Sequence, residues 1–243
     1  MIFDDIKKFY SAYRGRKCVI GYSCQGREIF AFHTGNSTGE QFISTYAIHA
    51  REWITSYLAL RHIRIGAGVS GGWIIPLVNP DGACIAQSVY PLWKANSKGV
   101  DLNCNFDADW GKGELNTKIK GSENCIGDFP FSEPETAALR DFTLKIKPFV
   151  TFSFHTKGEE IYWEFNGLGD ENGAEILSSA TGYAVKKITG SAGGYKDWCI
   201  QKLGIPAYTV ECGPDSLNHP VTQYRKIKKC EKALKIFMEN YGT

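Results

Sequence analysis

Short apolar runs separated by amphipathic stretches occupy most of the chain, and this pattern predicts its secondary structure. The runs KCVIGY and EIFAFHTG flank a turn at Cys24-Gln25-Gly26 and predict a β-hairpin. Further strands are predicted from QFISTYAIHA, WIIPLVNP, PFVTFSFHT and AYTVECG. Helical patterns lie at about residues 51–65 and in SEPETAALRDFTLKI, GDENGAEILSSATGY, KDWCIQKLG and HPVTQYRKIKKCEKALKIFMENY. This alternation predicts an α/β fold in one domain, residues 1–243, with a mixed, mostly parallel β-sheet and helices on both faces.

Two segments have no clear period and are predicted to be irregular. A turn is expected at Asn79-Pro80-Asp81-Gly82, where proline and glycine follow an apolar run. From about Tyr90 to Phe131 the chain is rich in glycine, asparagine and aspartate. A loop of this length in a compact domain is usually functional, so we expect it to border a site.

The composition is that of an ordinary globular protein. Hydrophobic residues make up 43% and charged residues 22%, and the net charge is +2, which gives no indication of a nucleic-acid partner or a membrane surface. No apolar run reaches the roughly 18 residues that a membrane span requires. The opening residues include two acids and no apolar leader, so a cytoplasmic location is expected.

The chain contains eight cysteines, which are scattered and include no CxxC pair. They are Cys18, Cys24, Cys84, Cys104, Cys125, Cys199, Cys212 and Cys230. Free, mostly buried thiols are therefore expected in preference to a disulfide framework.

Three of the predicted strands end in a polar residue: His49, His155 and Glu211. Each follows an apolar run that would be buried, namely FISTYAI, FVTFSF and AYTV. Ligands of open α/β sheets bind outside the carboxyl ends of the strands, where these residues would meet. A single histidine in such a place is more often a satisfied core residue than a ligand, but three convergent polar ends indicate a site.

The segment HAREW places Glu52 three residues after His49, so both side chains can reach one cation. Two histidines and one carboxylate are a common ligand set for catalytic zinc, and His155 supplies the second histidine. A bare HxxE is frequent by chance, so the interpretation depends on His155 and Glu211 as well. Glu211 supplies a carboxylate that can take a proton from the attacking water. We therefore predict one zinc ion per chain.

Six motifs, in this order and spacing, resemble those of the zinc metallocarboxypeptidases. They are HAREWIT, VNPDG, KGVDLNCNF, SFHTKGEEIYW, SAGGYKDW and IPAYTVECG. The resemblance covers about residues 22–241 and implies a carboxypeptidase-like fold in a zinc metallopeptidase. It implies the zinc ligands His49, Glu52 and His155, with Glu211 as general base.

The same resemblance assigns residues that would contact the substrate. Arg51 matches a substrate-binding arginine, and Asn103 matches an asparagine that helps to hold a terminal carboxylate. Lys94 stands where an oxyanion-stabilising arginine is usual, and a lysine can act there as a point charge.

Two positions depart from the family pattern. Cys104 replaces the arginine that clamps the C-terminal carboxylate of exopeptidase substrates. Thr189 lies near the place of a mobile tyrosine, and Tyr195, close by, is a candidate for that role. An ordinary carboxypeptidase is therefore in question, although the metal chemistry is intact.

GEEIYW and SAGGYKDW are most similar to the bacterial branch that cuts murein stem peptides between γ-D-glutamate and meso-diaminopimelate. This resemblance implies a murein-derived peptide as substrate. Lys196 occupies the specificity-pocket position and could bind the spare carboxylate of diaminopimelate, although a solvated lysine on the first turn of a helix is an equally good interpretation.

Three alternatives remain open at the level of the sequence. The first is an ordinary metallocarboxypeptidase that removes C-terminal residues, and the second is a zinc amidase or deacylase with a non-peptide substrate. The third is a zinc-binding protein that recognises peptides without cutting them. The retained Glu211 argues against the third, because a binding protein has no use for a general base.

Overall fold

A computed structural model describes residues 1–68 and 70–241. Its strands are β1 (Lys17–Tyr22), β2 (Glu28–Thr34), β3 (Gln41–Tyr46), β4 (Gly71–Ile75), β5 (Val150–His155), β6 (Glu160–Tyr162), β7 (Glu164–Phe165), β8 (Leu168–Gly169), β9 (Ala184–Lys186) and β10 (Ala207–Glu211). Its α-helices are α1 (Ile2–Ala12), α2 (Thr55–Ile65), α3 (Pro80–Ser88), α4 (Pro134–Ile146), α5 (Glu171–Thr181), α6 (Tyr195–Leu203) and α7 (Ala233–Asn240).

The centre of the fold is an eight-stranded sheet in the order β1-β2-β4-β3-β5-β10-β6-β9. The inner strands β4, β3, β5 and β10 pair in parallel, and antiparallel pairs join β1 to β2, β2 to β4 and β10 to β6. Fully buried strands such as β5 form the middle, as expected where both faces are covered. The predicted fold class, an α/β fold with a mixed, mostly parallel sheet, is confirmed.

Helices cover both faces of this sheet and form a hydrophobic core on each. On one face, Leu58 of α2, Leu177 of α5 and Phe237 of α7 lie in the same buried cluster. On the other, Leu139 of α4 and Trp198 of α6 pack against the sheet. Each such side chain contributes roughly 1.5–3 kcal/mol through burial. The two cores fix the sheet from both sides and leave its carboxyl-end rim for a site.

The predicted turn at residues 79–82 is wrong, because a helix begins there. The side chain of Asn79 accepts a hydrogen bond from the backbone N–H of Gly82 at 3.0 Å, and Pro80 is the first residue of α3. Asparagine followed by proline is typical of a helix start as well as of a turn. Asn79 Nδ2 also donates to the carbonyls of Ile48 and Ala95, at 3.2 and 3.1 Å. The cap therefore ties together the two segments that enter the site.

The helix predicted over residues 219–241 is mostly absent. Only α7 is α-helical, and it is preceded by short 3₁₀ stretches at Tyr224–Lys226 and Lys228–Lys232. Pro220 disfavours a helical conformation at the residue before it, and this limits the start of any helix here. Conversely, the helix α1 was not predicted from the apolar pattern.

All eight cysteines are free, and six of them are buried, as the sequence predicts. Within residues 1–68 and 70–241, no helix has both the length and the apolar character that crossing a bilayer demands.

Candidate metal centre and substrate cavity

His49 and Glu52 are brought to one side of the chain by a sharp turn after β3. The strand ends before His49, earlier than the sequence predicts, because Ala47 adopts a left-handed conformation with φ 49°. The chain then enters a 3₁₀ helix at Ala50–Glu52, with His49 as its N-cap. Residues three apart are eclipsed in a 3₁₀ helix, so the two side chains project together.

The structure brings together His49, Glu52 and His155, which are all buried. Nδ1 of His49 lies 3.0 Å from Glu52 Oε1, and Nδ1 of His155 lies 3.0 Å from Glu52 Oε2. The two Nδ1 atoms are 3.2 Å apart, and the possible ligand atoms of the group all lie within 4.8 Å of one another. A cation that accepts all three electron pairs satisfies this convergence better than shared protons. The donor set therefore fits zinc.

Asp101, which was not singled out in the sequence, contacts the ring nitrogen of His49 that faces away from Glu52. Its Oδ1 lies 3.3 Å from Nε2 of His49, and its Oδ2 lies 2.8 Å from Nζ of Lys94. A carboxylate on the second ring nitrogen fixes the orientation of a metal-binding histidine. Burial opposes ionisation of Asp101, but Lys94 and His49 hold its pKa well below the ordinary value. Asp101 thus links the proposed metal ligands to Lys94.

We expect Asp101→Asn to weaken zinc binding by about 10–100-fold, because the amide cannot orient His49 as a carboxylate does. Competition with a chromogenic chelator measures the change in zinc Kd. Asp215→Asn is the matched control, since Asp215 is exposed and pairs with Lys157. Unchanged zinc affinity in Asp101→Asn would contradict the supporting role.

Glu211 lies beside the metal group at the end of β10. It is the register partner of His155 on β5, so both side chains emerge on the same face of the sheet. Burial raises the pKa of Glu211 to about 8; the charge of Glu52 adds to the rise, whereas His155 opposes it. A carboxylate with a raised pKa next to a metal group has the property expected of a general base.

His49, His155 and Glu211 border a cavity of about 310 Å³ at the carboxyl ends of the strands. Its wall includes His49, Lys94, Asn103, Cys104, Glu114, Asn124, His155, Tyr162, Thr189, Lys196, Asp197, Thr209 and Glu211. Tyr162 was not singled out from the sequence. It pairs with Thr209 across β6 and β10, and the alternation along both strands turns it to the same face as Glu211.

Lys196 is buried in the cavity wall, with 6% of its surface exposed, which excludes the solvated lysine that the sequence allowed. Its Nζ lies 2.7 Å from Asp197 Oδ1 and donates to the Glu164 carbonyl at 2.6 Å. An ammonium has three donors, so one N–H is left for a ligand.

Cys104 and Asn103 also line the cavity, as their motif suggests. Burial raises the pKa of the Cys104 thiol well above its ordinary value, so the position carries no charge. Asn103 is held by the backbone N–H of Tyr195, which donates to Asn103 Oδ1 at 3.1 Å. The carboxylate clamp of exopeptidases therefore has no replacement cation at position 104.

Tyr195 does not reach the cavity, which corrects its assignment as a substrate-binding residue. Its ring is fully buried near Phe106 and Trp198, and its hydroxyl lies 2.8 Å from the Thr143 hydroxyl. To contact a substrate it would have to leave the core.

Arg51 lies outside the wall of this cavity and forms a salt bridge with Glu123, whose Oε1 is 2.6 Å from Nη1. Glu123 belongs to a second cavity of about 290 Å³, which shares Lys94 with the first. Arg51 therefore does not border the cavity that contains Lys94, Asn103 and Lys196.

Comparison with known proteins decides the family. The family profile described as zinc carboxypeptidase matches residues 72–233, two thirds of the chain. The chain belongs to the zinc carboxypeptidase family of peptidases. The matched range contains His155 and Glu211 but begins after His49 and Glu52. Membership makes the chain a hydrolase of a zinc-dependent peptidase family, in agreement with the resemblance in its motifs.

One relative in sequence agrees with this assignment, and two solved structures share the fold. The gamma-D-glutamyl-L-diamino acid endopeptidase 1 of Lysinibacillus sphaericus is 30% identical, over 98% of this chain and 70% of the relative. Bovine thrombin-activatable fibrinolysis inhibitor has the same fold, with a TM-score of 0.86, 21% identity, and coverage of 98% and 95% of the two chains. The murein-tripeptide amidase MpaA of Escherichia coli O157 matches with a TM-score of 0.70, 23% identity, and coverage of 95% and 94%. These last two likenesses concern the fold alone.

Proposed function

We propose that this chain hydrolyses the amide bond between γ-D-glutamate and meso-diaminopimelate in murein-derived peptides. The observation that carries the proposal is the place of the ammonium group in the cavity wall: Lys196 is buried there beside its partner Asp197, whereas position 104 is neutral. Such a wall favours a carboxylate on the substrate's side group over a C-terminal carboxylate bound at the position of the family arginine. The diamino acid peptidase named among the relatives supports this choice.

The chemistry requires a metal and a base, and the cavity holds candidates for both. His49, Glu52 and His155 would hold zinc, which when bound acts as a Lewis acid and makes water a stronger nucleophile at neutral pH. Glu211 takes the proton of the attacking water and later passes it to the leaving amine. Lys94 stabilises the negative charge that develops on the scissile carbonyl oxygen, and Asp101 holds it in place at 2.8 Å.

Lys196 and Asn103 position the leaving side of the substrate. The free N–H of the Lys196 ammonium would donate to the side-chain carboxylate of diaminopimelate, and Asp197 and the Glu164 carbonyl fix its direction. Because Asp197 offsets part of the charge, the contribution is that of one directed, charge-assisted hydrogen bond. Lysine in place of diaminopimelate offers no acceptor there.

We expect wild type to prefer γ-D-glutamyl-diaminopimelate over γ-D-glutamyl-lysine by roughly tenfold in kcat/KM, the lower end for a hydrogen bond to a charged group. Lys196→Met keeps the length of the side chain without the ammonium and should remove most of this preference. Steady-state kinetics on the two substrates with zinc-loaded protein measure both effects.

Lys202→Met is the matched control, since this lysine lies on the same helix, partly exposed. Equal rates on both substrates in wild type would leave Lys196 without a role in specificity. Failure to cleave either substrate, with cleavage of an ordinary peptide from its C-terminus, would favour the carboxypeptidase alternative.

A further inference from the structure

Two thiols outside the substrate cavity lie against each other in the hydrophobic core. Sγ of Cys212 is 3.3 Å from Sγ of Cys230, and both residues are 0% exposed. A disulfide bond is about 2.0 Å long, so the two sulfur atoms would have to approach by only about 1.3 Å. The residues are far apart in the sequence, and this contact could not be predicted from the scattered positions of the cysteines.

Regular backbone structure holds the two thiols in contact. Cys212 directly follows β10, and its backbone N–H donates to the carbonyl of His155 at 2.9 Å. Cys230 lies in the 3₁₀ helix Lys228–Lys232. A 3₁₀ helix has three residues per turn, so Cys230 points the same way as the fully buried Ile227, towards the core. The contact therefore follows from two elements of the fold and needs no unusual side-chain position.

The segment that covers the pair is weakly held. Residues 213–220 form neither helix nor strand, and Asp215, Ser216 and Asn218 are exposed. Asp215 pairs with Lys157 at 2.8 Å, but its side chain is 85% exposed, and such a surface pair contributes little. Segments without regular structure open locally at a small fraction of the free energy of global unfolding. A small oxidant can therefore reach the two thiols from this side.

We propose that Cys212 and Cys230 are an oxidation site, at which hydrogen peroxide converts the two thiols to an intramolecular disulfide. One sulfur attacks an oxygen of the peroxide, the O–O bond breaks, and a sulfenic acid forms while one water molecule leaves. The second sulfur then attacks the sulfenic sulfur, so that the S–S bond forms and a second water molecule leaves. The two thiols lose two electrons and two protons, and the peroxide is reduced to water. A dithiol reductant restores the original pair.

The bond would connect the residue after Glu211 to the segment that precedes α7. It would close a loop over residues 212–230, and closing a loop stabilises the fold mainly by restricting the unfolded chain. For a domain of this size we expect the disulfide to raise Tm by roughly 5–10 °C.

The test treats the zinc-loaded protein with a small excess of hydrogen peroxide and then alkylates the remaining thiols. Mass spectrometry should show the loss of two hydrogen atoms, and peptide mapping should place the new bond between Cys212 and Cys230. Thermal unfolding should show the rise in Tm, which dithiothreitol should reverse. Cys199→Ser is the matched control, because Cys199 is equally buried but lies in the core on the other face of the sheet. This variant should form the bond as wild type does.

Cys212→Ser and Cys230→Ser should each prevent the bond and the rise in Tm. Circular dichroism shows whether the variants fold, and peptide mapping of wild type decides the question even where they do not. Oxidation without an S–S bond, or a bond that joins other cysteines, would overturn the proposal. So would a rise in Tm that persists in a folded Cys230→Ser protein. None of these measurements depends on peptide cleavage, so the proposal stands or falls separately from the proposed function.

Discussion

Glu211→Gln should lower kcat by about 10²–10⁴-fold on any peptide substrate of this enzyme, because the amide cannot accept a proton from water. The change keeps the size of the side chain. Stoichiometric zinc should remain bound, since Glu211 is not a member of the group formed by His49, Glu52 and His155. Kinetics together with metal analysis of the same preparation check both parts.

The pH dependence of activity provides a second test of Glu211 as the general base. A general base acts when deprotonated, so activity in wild type should fall as the pH drops through the pKa of Glu211. Glu175→Gln, on the exposed side of α5, is the control and should behave as wild type. A Glu211→Gln enzyme with the kcat of wild type would exclude the role of base.

His155→Ala should abolish stoichiometric zinc binding. It removes one of three proposed ligands. The loss of affinity should therefore exceed the roughly 10–100-fold loss expected when a residue that only hydrogen-bonds to a ligand is changed. Metal analysis after dialysis against a weak chelator measures the effect. Circular dichroism of the metal-free proteins shows whether the variant folds like wild type.

His33→Gln provides a control for the loss of a buried histidine. His33 bonds to Gln41 and lies outside the metal group. Full zinc retention in His155→Ala would show that the ligand set is wrong.

The proposed metal ligands and base could be predicted from the sequence, because each of them stands in a short segment with a recognisable pattern. Apolar runs ending at His155 and Glu211 predicted where the strands end, and parallel pairing of β5 with β10 then brings these ends together. The strand order itself was not predicted, because periodicity shows which residues are buried but not which strands are neighbours.

The residues around the metal group were harder to predict. Their positions depend on contacts between segments that are distant in the sequence, and local patterns give no information about such contacts. Asp101 stands in one of the recognised motifs. Its contact with His49 could not be predicted, because Asp101 lies in a segment without a periodic pattern of apolar residues. Tyr195 follows Gly194 at the start of α6, and only the packing of α6 against α4 and the sheet turns its ring into the core. Arg51 was assigned to the substrate by its motif, but its partner Glu123 could not be predicted.

The wall of the cavity has two structural origins, and this division bears on how the enzyme can evolve. The metal group and Glu211 lie at or just beyond the ends of strands, where a shift would disturb the core. Lys94, Cys104 and Asn124 belong to the long segment between α3 and α4, which contains little regular structure. Substitutions in such loops change recognition at little cost to the scaffold. A change of the residue at position 104 would therefore alter which peptides bind and leave His155 and Glu211 in place.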